Sequence, residues 1–591
     1  ESRSKLNNHS AFLVVIGLTL VGFALRVHQL GATSLWYDEL LQTDISQGPI
    51  TEILPQLERH AALPLDYYLL YGWIKLGRSE FWVRWPALFF GTLAIPLVYI
   101  LGKFLFSRRV GLIAALLLSI SSFAIQYSQE ARPYALLLTL VLVAYLGLWQ
   151  LYRTHKLYYW VLLVVGVVGS ALTHYFALFM LAPMGLFVLF QQFSHIKQTR
   201  VWEKSALFAL SLLLLFVSLI LIGRFKFLYN VSFGVSNAVA EPSRLVSPAT
   251  EKPNRGSGPP LTREFFVNKV FSPLSTADNE ILLAYLFFFF VALTGLIVPN
   301  HRYRTSILLL LGWFFIPIVC IYLFLLYRGT FYAIRYILYT LPAYLMLVAF
   351  GLDRAIFFMM WIVTQIDKQW KHLFLPNSLS GPVTSILSLT LVCLLLLPFI
   401  SSERVELQTH YNTGSREDWR AVGQLLHAHA GPTDAIIAVR AEPTMNWYYP
   451  RATVPFGTFT TTQAIWQIID NHPRRWFILS SYSRRRDEQL RDWLNNNGAV
   501  VIGVDRRVVV YLQQAGMSKA DLLAEVKTFD LPHKPITYAS LANQLSRHGD
   551  LEAARFFYEE ALNLADPVYR ARLETELGPR FTLSSSSLDG F

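Results

Sequence analysis

The chain has 591 residues, 54% of them hydrophobic and only 15% charged, with a formal net charge of +12 and a mean hydropathy of +0.39. A water-soluble chain of this size carries nearer a quarter charged residues, so a soluble enzyme, a disulfide scaffold and a nucleic-acid-binding domain are poor readings. A polytopic α-helical membrane protein fits, with its surplus of Lys and Arg held on cytoplasmic loops.

Runs long enough to cross about 30 Å of hydrocarbon at about 1.5 Å per residue recur along two-thirds of the chain. They are Ala11–Leu30, Val83–Phe106, Val110–Tyr127, Pro133–Tyr152, Leu157–His174, Phe176–Phe193, Ser205–Gly223, Ile281–Val298, Ser306–Tyr327, Tyr332–Phe350 and Pro382–Ile400, about eleven spans. Ala11–Leu30 is too long for a signal peptide and lacks its small-residue cleavage site, so it reads as the first span. Cys320 and Cys393 lie inside apolar runs and define neither a disulfide framework nor a metal motif.

If the helices alternate, Arg3, Lys5, Lys103, Arg108, Arg109, Arg153, Lys156, Arg302, Arg304 and Arg354 fall on one side, which the positive-inside rule makes cytoplasmic. The N-terminus is then cytoplasmic and the C-terminal third lies outside, as expected of a multi-pass protein of a bacterial plasma membrane. Gly31–Trp82, the Gly/Pro/Ser-rich stretch Arg224–Asn279 and the loop Arg328–Phe331 share that external side. Asn237–Pro260 has linker composition and reads equally as a mobile flap.

Past Ile400 the composition becomes that of a soluble domain. Asp434–Arg440, Arg475–Ser481, Ala499–Val504 and an edge strand at Val508–Tyr511 alternate with helical patterns at Glu417–Ala430, Thr461–Asn471 and Arg484–Asn496. This predicts a small α/β domain over 401–515, without a glycine-rich phosphate fingerprint. Tyr538–Ala565 resembles one tetratricopeptide helix pair within a helical segment 516–591. A single repeat packs on its neighbour or on a protein partner, and Thr582–Phe591 has a disordered composition.

Charged residues at the predicted external rim carry the chemistry. Asp38 and Glu39 in LWYDEL follow the first span, beside Trp36 and Tyr37 at headgroup level. Glu130, Arg132 and Tyr134 occupy the turn QEARPY, His174 the turn LTHYFAL, and Arg328 and Arg335 bracket the next. No predicted span centre contains Asp or Glu, so the ionisable groups point to a site at one leaflet rather than to a midplane conduction path. An acidic pair is most often solvated, a Glu–Arg pair at a surface is worth little, and a lone His at a helix end is most often structural.

Taken in order, LWYDEL, PLDYYLLYGW, SEFWVRWPALFFGTLAIPLVYILGKFLF, SQEARPYALL, LTHYFALF and RYILYTLPAY resemble the bacterial members of glycosyltransferase family 39. These are GT-C membrane enzymes similar to protein O-mannosyltransferases and the lipid A aminoarabinose transferase. The resemblance covers roughly the first 350 residues and gives a GT-C-like catalytic domain over 1–400. It implies transfer of one sugar from a polyprenyl-phosphate donor to an acceptor hydroxyl on a glycan, lipid or protein, with inversion at the anomeric carbon. A phosphate leaves without a general acid, so one carboxylate base suffices. Asp38 takes that role, Glu39 orients it or joins it around a divalent metal, and Arg132, Arg335 and Arg328 balance charge on the departing phosphate. Glu130, Tyr134, His174, His60 and Asp66 are substrate-binding candidates. Relatives show His-Pro-Pro where this chain has Ala62-Leu63-Pro64, which puts a phosphate-gripping role for His60 and Asp66 in doubt. No ligand spacing selects a metal. Competing readings are a polytopic transporter, although paired repeats with broken helices are not evident, a glycan ligase using a polyprenyl diphosphate carrier, and a non-catalytic scaffold.

Overall fold

The computed structural model describes residues 2–60, 62–154, 156, 158–194, 263–298, 300–328, 333–371, 381–413, 417–439, 442–450, 454–456, 471–480, 488–504, 507–531 and 534–582. The expected span Ser205–Gly223, the stretch Asn237–Pro260, most of the helical pattern at Thr461–Asn471 and the tail 583–591 lie outside these residues. The chain forms two compact units, one made of 1–30 and 45–413, the other of 31–44 and 414–591.

The first unit is a bundle of apolar helices. Six among the described residues are long and apolar enough to cross a membrane: His9–Val27, Glu80–Leu105, Tyr134–Thr154, Asn279–Leu296, His301–Leu326 and Ile334–Gln365. The pair Arg108–Ile120 and Ser122–Ser128, bent by 59°, adds a seventh if counted as one span. Tyr158–Thr173 and Tyr175–Phe190 are shorter apolar segments, and Gly381–Thr413 carries the last expected run well past Ile400. This is a multi-pass membrane protein with the helical architecture expected, and hydrocarbon explains why Phe12, Leu13, Phe287, Phe290 and Phe357 stay exposed on its surface. Inside, Tyr145 stacks on Trp313 at 3.8 Å, whose Nε1 donates to the Tyr339 carbonyl at 3.1 Å. Gly351 lets two helices approach so closely that a Cβ there would run into the Phe288 carbonyl.

The sequence reads Val110–Tyr127 as one continuous run, whereas the helix breaks at Ser121. Ser121 leaves helical geometry (φ −54°, ψ 116°), and its hydroxyl accepts from Ala124 N to start the next helix. Arg26, in the last turn of the first span, is fully buried rather than extended to the interface as a long cation near a span end can be.

The second unit is built on a five-stranded sheet of β1 (Ala435–Val439), β2 (Val454–Phe456), β3 (Arg474–Ser480), β4 (Val500–Gly503) and β5 (Val508–Gln514) in the order β2-β1-β3-β5-β4. β1 runs parallel to β2 and β3, while β5 runs antiparallel to both β3 and β4. The expected edge strand β5 is therefore interior. Its Val508, Val510 and Leu512 are fully buried, a pattern that fits a central strand. The helix Pro535–Arg547 packs on β4 and carries Leu551–Leu564 against it. Gln544 both accepts from Val501 N at 2.9 Å and donates to Val501 O at 2.6 Å.

The segment Gly31–Asp44 is clipped into this second unit by hydrogen bonds between residues 383 to 413 positions apart. Ser34 Oγ donates to Glu417 O at 2.7 Å and accepts from Trp419 N at 3.1 Å. Leu35 N donates to the Tyr448 hydroxyl at 2.8 Å, and the Arg420 guanidinium donates to the carbonyls of Gly31 and Ala32.

Candidate functional site

The candidate residues divide between the two units. Asp38 and Glu39 form the first turn of the helix Tyr37–Gln47, where the helix dipole favours negative charge. The adjacent carboxylates are not equivalent. Glu39 is fully buried and its Oε2 accepts from Trp36 N at 3.1 Å, closing the helix start much as a capping box does. Asp38 is half-buried. Glu39 thus holds the turn that presents Asp38. Among the described residues no group of three or more His, Cys, Asp or Glu side chains is arranged to hold a metal, so the metal alternative for Asp38 and Glu39 gains no support.

The cationic candidates gather in the first unit. The turn after Ser122–Ser128 carries Gln129, Glu130 and Arg132, with Arg132 N donating to Glu130 O at 2.7 Å. Pro133 disfavours helical geometry in the residue before it and opens the helix Tyr134–Thr154, through Leu137 N donating to the Pro133 carbonyl at 2.9 Å. Glu130 and Tyr134 are buried. His174 sits between two apolar helices in extended geometry, its ring 5.7 Å from that of Tyr134 and 5.9 Å from that of Tyr336. Arg335 lies over the Tyr336 ring at 5.7 Å. The Tyr339 hydroxyl donates to Phe176 O at 2.7 Å and so ties the Arg335 segment to the His174 turn.

Arg132 and Arg335 are both within electrostatic reach of the His174 imidazole. Its Nδ1 accepts from Phe176 N at 3.2 Å, which leaves the proton on Nε2. His174 is consequently a hydrogen-bond donor set beside two fixed guanidinium charges, an environment suited to an anion.

Asp66 is buried in the first turn of Pro64–Ile74, and the adjacent Tyr67 is within electrostatic reach of Tyr175, next to His174. His60 ends the helix Ile50–His60 and Arg328 ends His301–Arg328; the side chains of both lie outside the described part. Four residues that the sequence did not single out complete the surroundings. Gln129, Glu403, Glu406 and His410 join the Arg132 turn and the helix before it through contacts separated by up to 284 positions, for which no local pattern exists.

Residues 60–221 match the family described as dolichyl-phosphate-mannose-protein mannosyltransferase. No curated protein matches the chain in sequence. Among solved structures, the chain is similar to ArnT from Cupriavidus metallidurans bound to undecaprenyl phosphate, with 14% identity, a TM-score of 0.54, and coverage of 85% of this chain and 98% of that one. The apo form of the same protein gives 12% identity, a TM-score of 0.51, and coverage of 86% and 99%. The archaeal oligosaccharyltransferase AglB from Archaeoglobus fulgidus, in complex with an inhibitory peptide and a dolichol-phosphate, gives 11% identity, a TM-score of 0.53, and coverage of 97% and 86%.

Proposed function

Starting from the GT-C glycosyltransferase fold of this chain, we propose that it is an inverting membrane glycosyltransferase that moves a monosaccharide from a polyprenyl-phosphate donor to an acceptor hydroxyl. The observation that carries this reading is the pair of guanidinium groups, Arg132 and Arg335, fixed around a neutral, proton-donating His174 at the end of the apolar helices. A lipid phosphate presents its charge at that level, with its chain in the bilayer. The bound lipids of the similar structures, undecaprenyl phosphate in ArnT and dolichol-phosphate in AglB, are of the same class.

Asp38 is the base. It takes the proton of the acceptor hydroxyl as that oxygen attacks the anomeric carbon from the face opposite the phosphate. The bond from that carbon to the phosphate oxygen breaks, and polyprenyl phosphate leaves with the electron pair. Arg132 and Arg335 balance the charge on the leaving group, with Arg328 as a third cation, while the His174 Nε2–H donates to a phosphate or sugar oxygen. Glu39 positions Asp38. Glu130, Tyr134, Asp66 and His60 are assigned to substrate binding. The reaction takes place at the extracytoplasmic face of a bacterial plasma membrane, with the acceptor a glycan, lipid or protein.

Mass spectrometry of lipid-linked sugars and envelope molecules from cells with and without this chain tests the assignment. Its loss should leave a polyprenyl-phosphate sugar in excess and remove one sugar mass from an envelope acceptor. Unchanged lipids and acceptors, together with uptake of a solute by vesicles containing the chain, would make it a transporter.

A further inference from the structure

The break between Arg108–Ile120 and Ser122–Ser128 leaves backbone groups at two helix ends that need partners. Both ends are met by side chains that supply the missing partners. At the end of the first half, the buried Arg26 guanidinium donates to Leu118 O at 3.1 Å and Ser119 O at 3.0 Å, and further to Gly22 O and Ser128 Oγ. At the start of the second half, Glu403 Oε2 accepts from Ser122 N and Glu406 Oε2 from Ser122 Oγ, each at 2.7 Å. The other Glu406 oxygen accepts from Ala277 N at 2.6 Å. A cation at a helix C-terminus and carboxyl oxygens accepting from the free N–H groups of an N-terminus are favourable partners.

The far end of Ser122–Ser128 is held as firmly. Gln129 Nε2 donates to the carbonyls of Arg26 at 2.9 Å and His28 at 2.7 Å. Its Oε1 faces His410 Nε2 at 2.8 Å, and since an amide oxygen only accepts, His410 carries the proton there. Glu403, Glu406 and His410 lie on one stretch of Gly381–Thr413, so a single helix end grips both ends of Ser122–Ser128. The residues next in sequence are Glu130 and Arg132.

We propose that Gln129 and His410, anchored by the Arg26 and Glu403–Glu406 contacts on either side of the helix break, are positioning residues that aim the Arg132 guanidinium at the donor phosphate. The inference rests on the reading of Arg132 given above. A half-helix seven residues long has little stability alone, and the direction of the turn after it depends on these clamps. Gln129 is suited to the task because its amide offers two donors and an acceptor to three partners at once, and one of those partners, the His28 carbonyl, lies just before the segment that carries Asp38.

The test is binding of undecaprenyl phosphate, and of undecaprenol as its uncharged control, to the full chain in nanodiscs. Gln129→Ala and His410→Ala should each weaken undecaprenyl phosphate by about tenfold while leaving undecaprenol unchanged. His410→Gln, which keeps an N–H to donate, should restore most of the loss. Equal weakening of both lipids would mean a general packing role and would overturn the proposal, as would no weakening in a background where Arg132→Ala abolishes phosphate selectivity. If Arg132→Ala itself leaves that selectivity intact, the phosphate reading of Arg132 fails instead.

Discussion

The two charged regions of this protein are built on opposite principles. The cationic turns around Arg132, His174 and Arg335 are packed among aromatic rings at helix ends in the membrane unit, where short hydrophobic turns fix them. The acidic pair sits in a short segment that belongs to the second unit, stitched there through Ser34, Leu35 and the carbonyls of Gly31 and Ala32. The proposed base therefore belongs to the second unit and the proposed phosphate-binding groups to the first.

The largest effect expected from breaking this division is on the acidic side. Asp38→Asn should lower turnover by about 10²–10⁴-fold and leave undecaprenyl phosphate binding as in the parent chain, read by steady-state transfer assays alongside lipid titration. On the cationic side, Arg132→Ala or Arg335→Ala should weaken the donor about 10–100-fold, the span expected for charge-assisted hydrogen bonds; a change in acceptor KM alone would reverse the assignment.

Glu403 gives a pH test of the helix break. Burial pushes its carboxyl up to about 8, with the facing Glu406 adding to the shift and hydrogen bonds from Ser122 opposing it; Tyr285 is the other ionisable group within reach. The folded chain holds this proton more tightly than the unfolded chain, so the contribution to stability is complete below the ordinary carboxyl value and is lost as pH rises through about 8. Thermal unfolding should therefore shift to lower temperature as pH rises between about 5 and 8 and level off above, and Glu403→Gln should flatten that dependence. The smallest effect is expected from Ser34→Ala, which removes two hydrogen bonds at the clip and should cost about 1–2 kcal/mol. It should reduce turnover without altering lipid binding, the same split as Asp38→Asn in a weaker form.

Much of this layout was legible in the chain itself. Apolar runs located the helices because hydrocarbon demands length and composition that no other environment does. Arg132 and His174 stood out because a charge in a short turn between such runs is conspicuous. The unequal burial of Asp38 and Glu39 was not legible, since two adjacent carboxylates look alike until the Trp36 amide chooses one. Nor was the break at Ser121 inside an unbroken apolar run, because the groups that stabilise it, Arg26, Glu403 and Glu406, come from distant parts of the sequence. The interior place of β5 escaped for a related reason: strand order is fixed by pairing partners, and a short run of valines reads the same at an edge or in the middle.

The lipid released during transfer tests the account most directly. The purified full chain would be reconstituted with polyprenyl-linked sugars extracted from cells lacking it and with the corresponding envelope acceptor, and the lipid product identified by mass spectrometry. The account predicts polyprenyl monophosphate, formed in step with loss of one sugar from the donor and absent with Asp38→Asn. Release of a polyprenyl diphosphate would contradict it and make the chain a ligase.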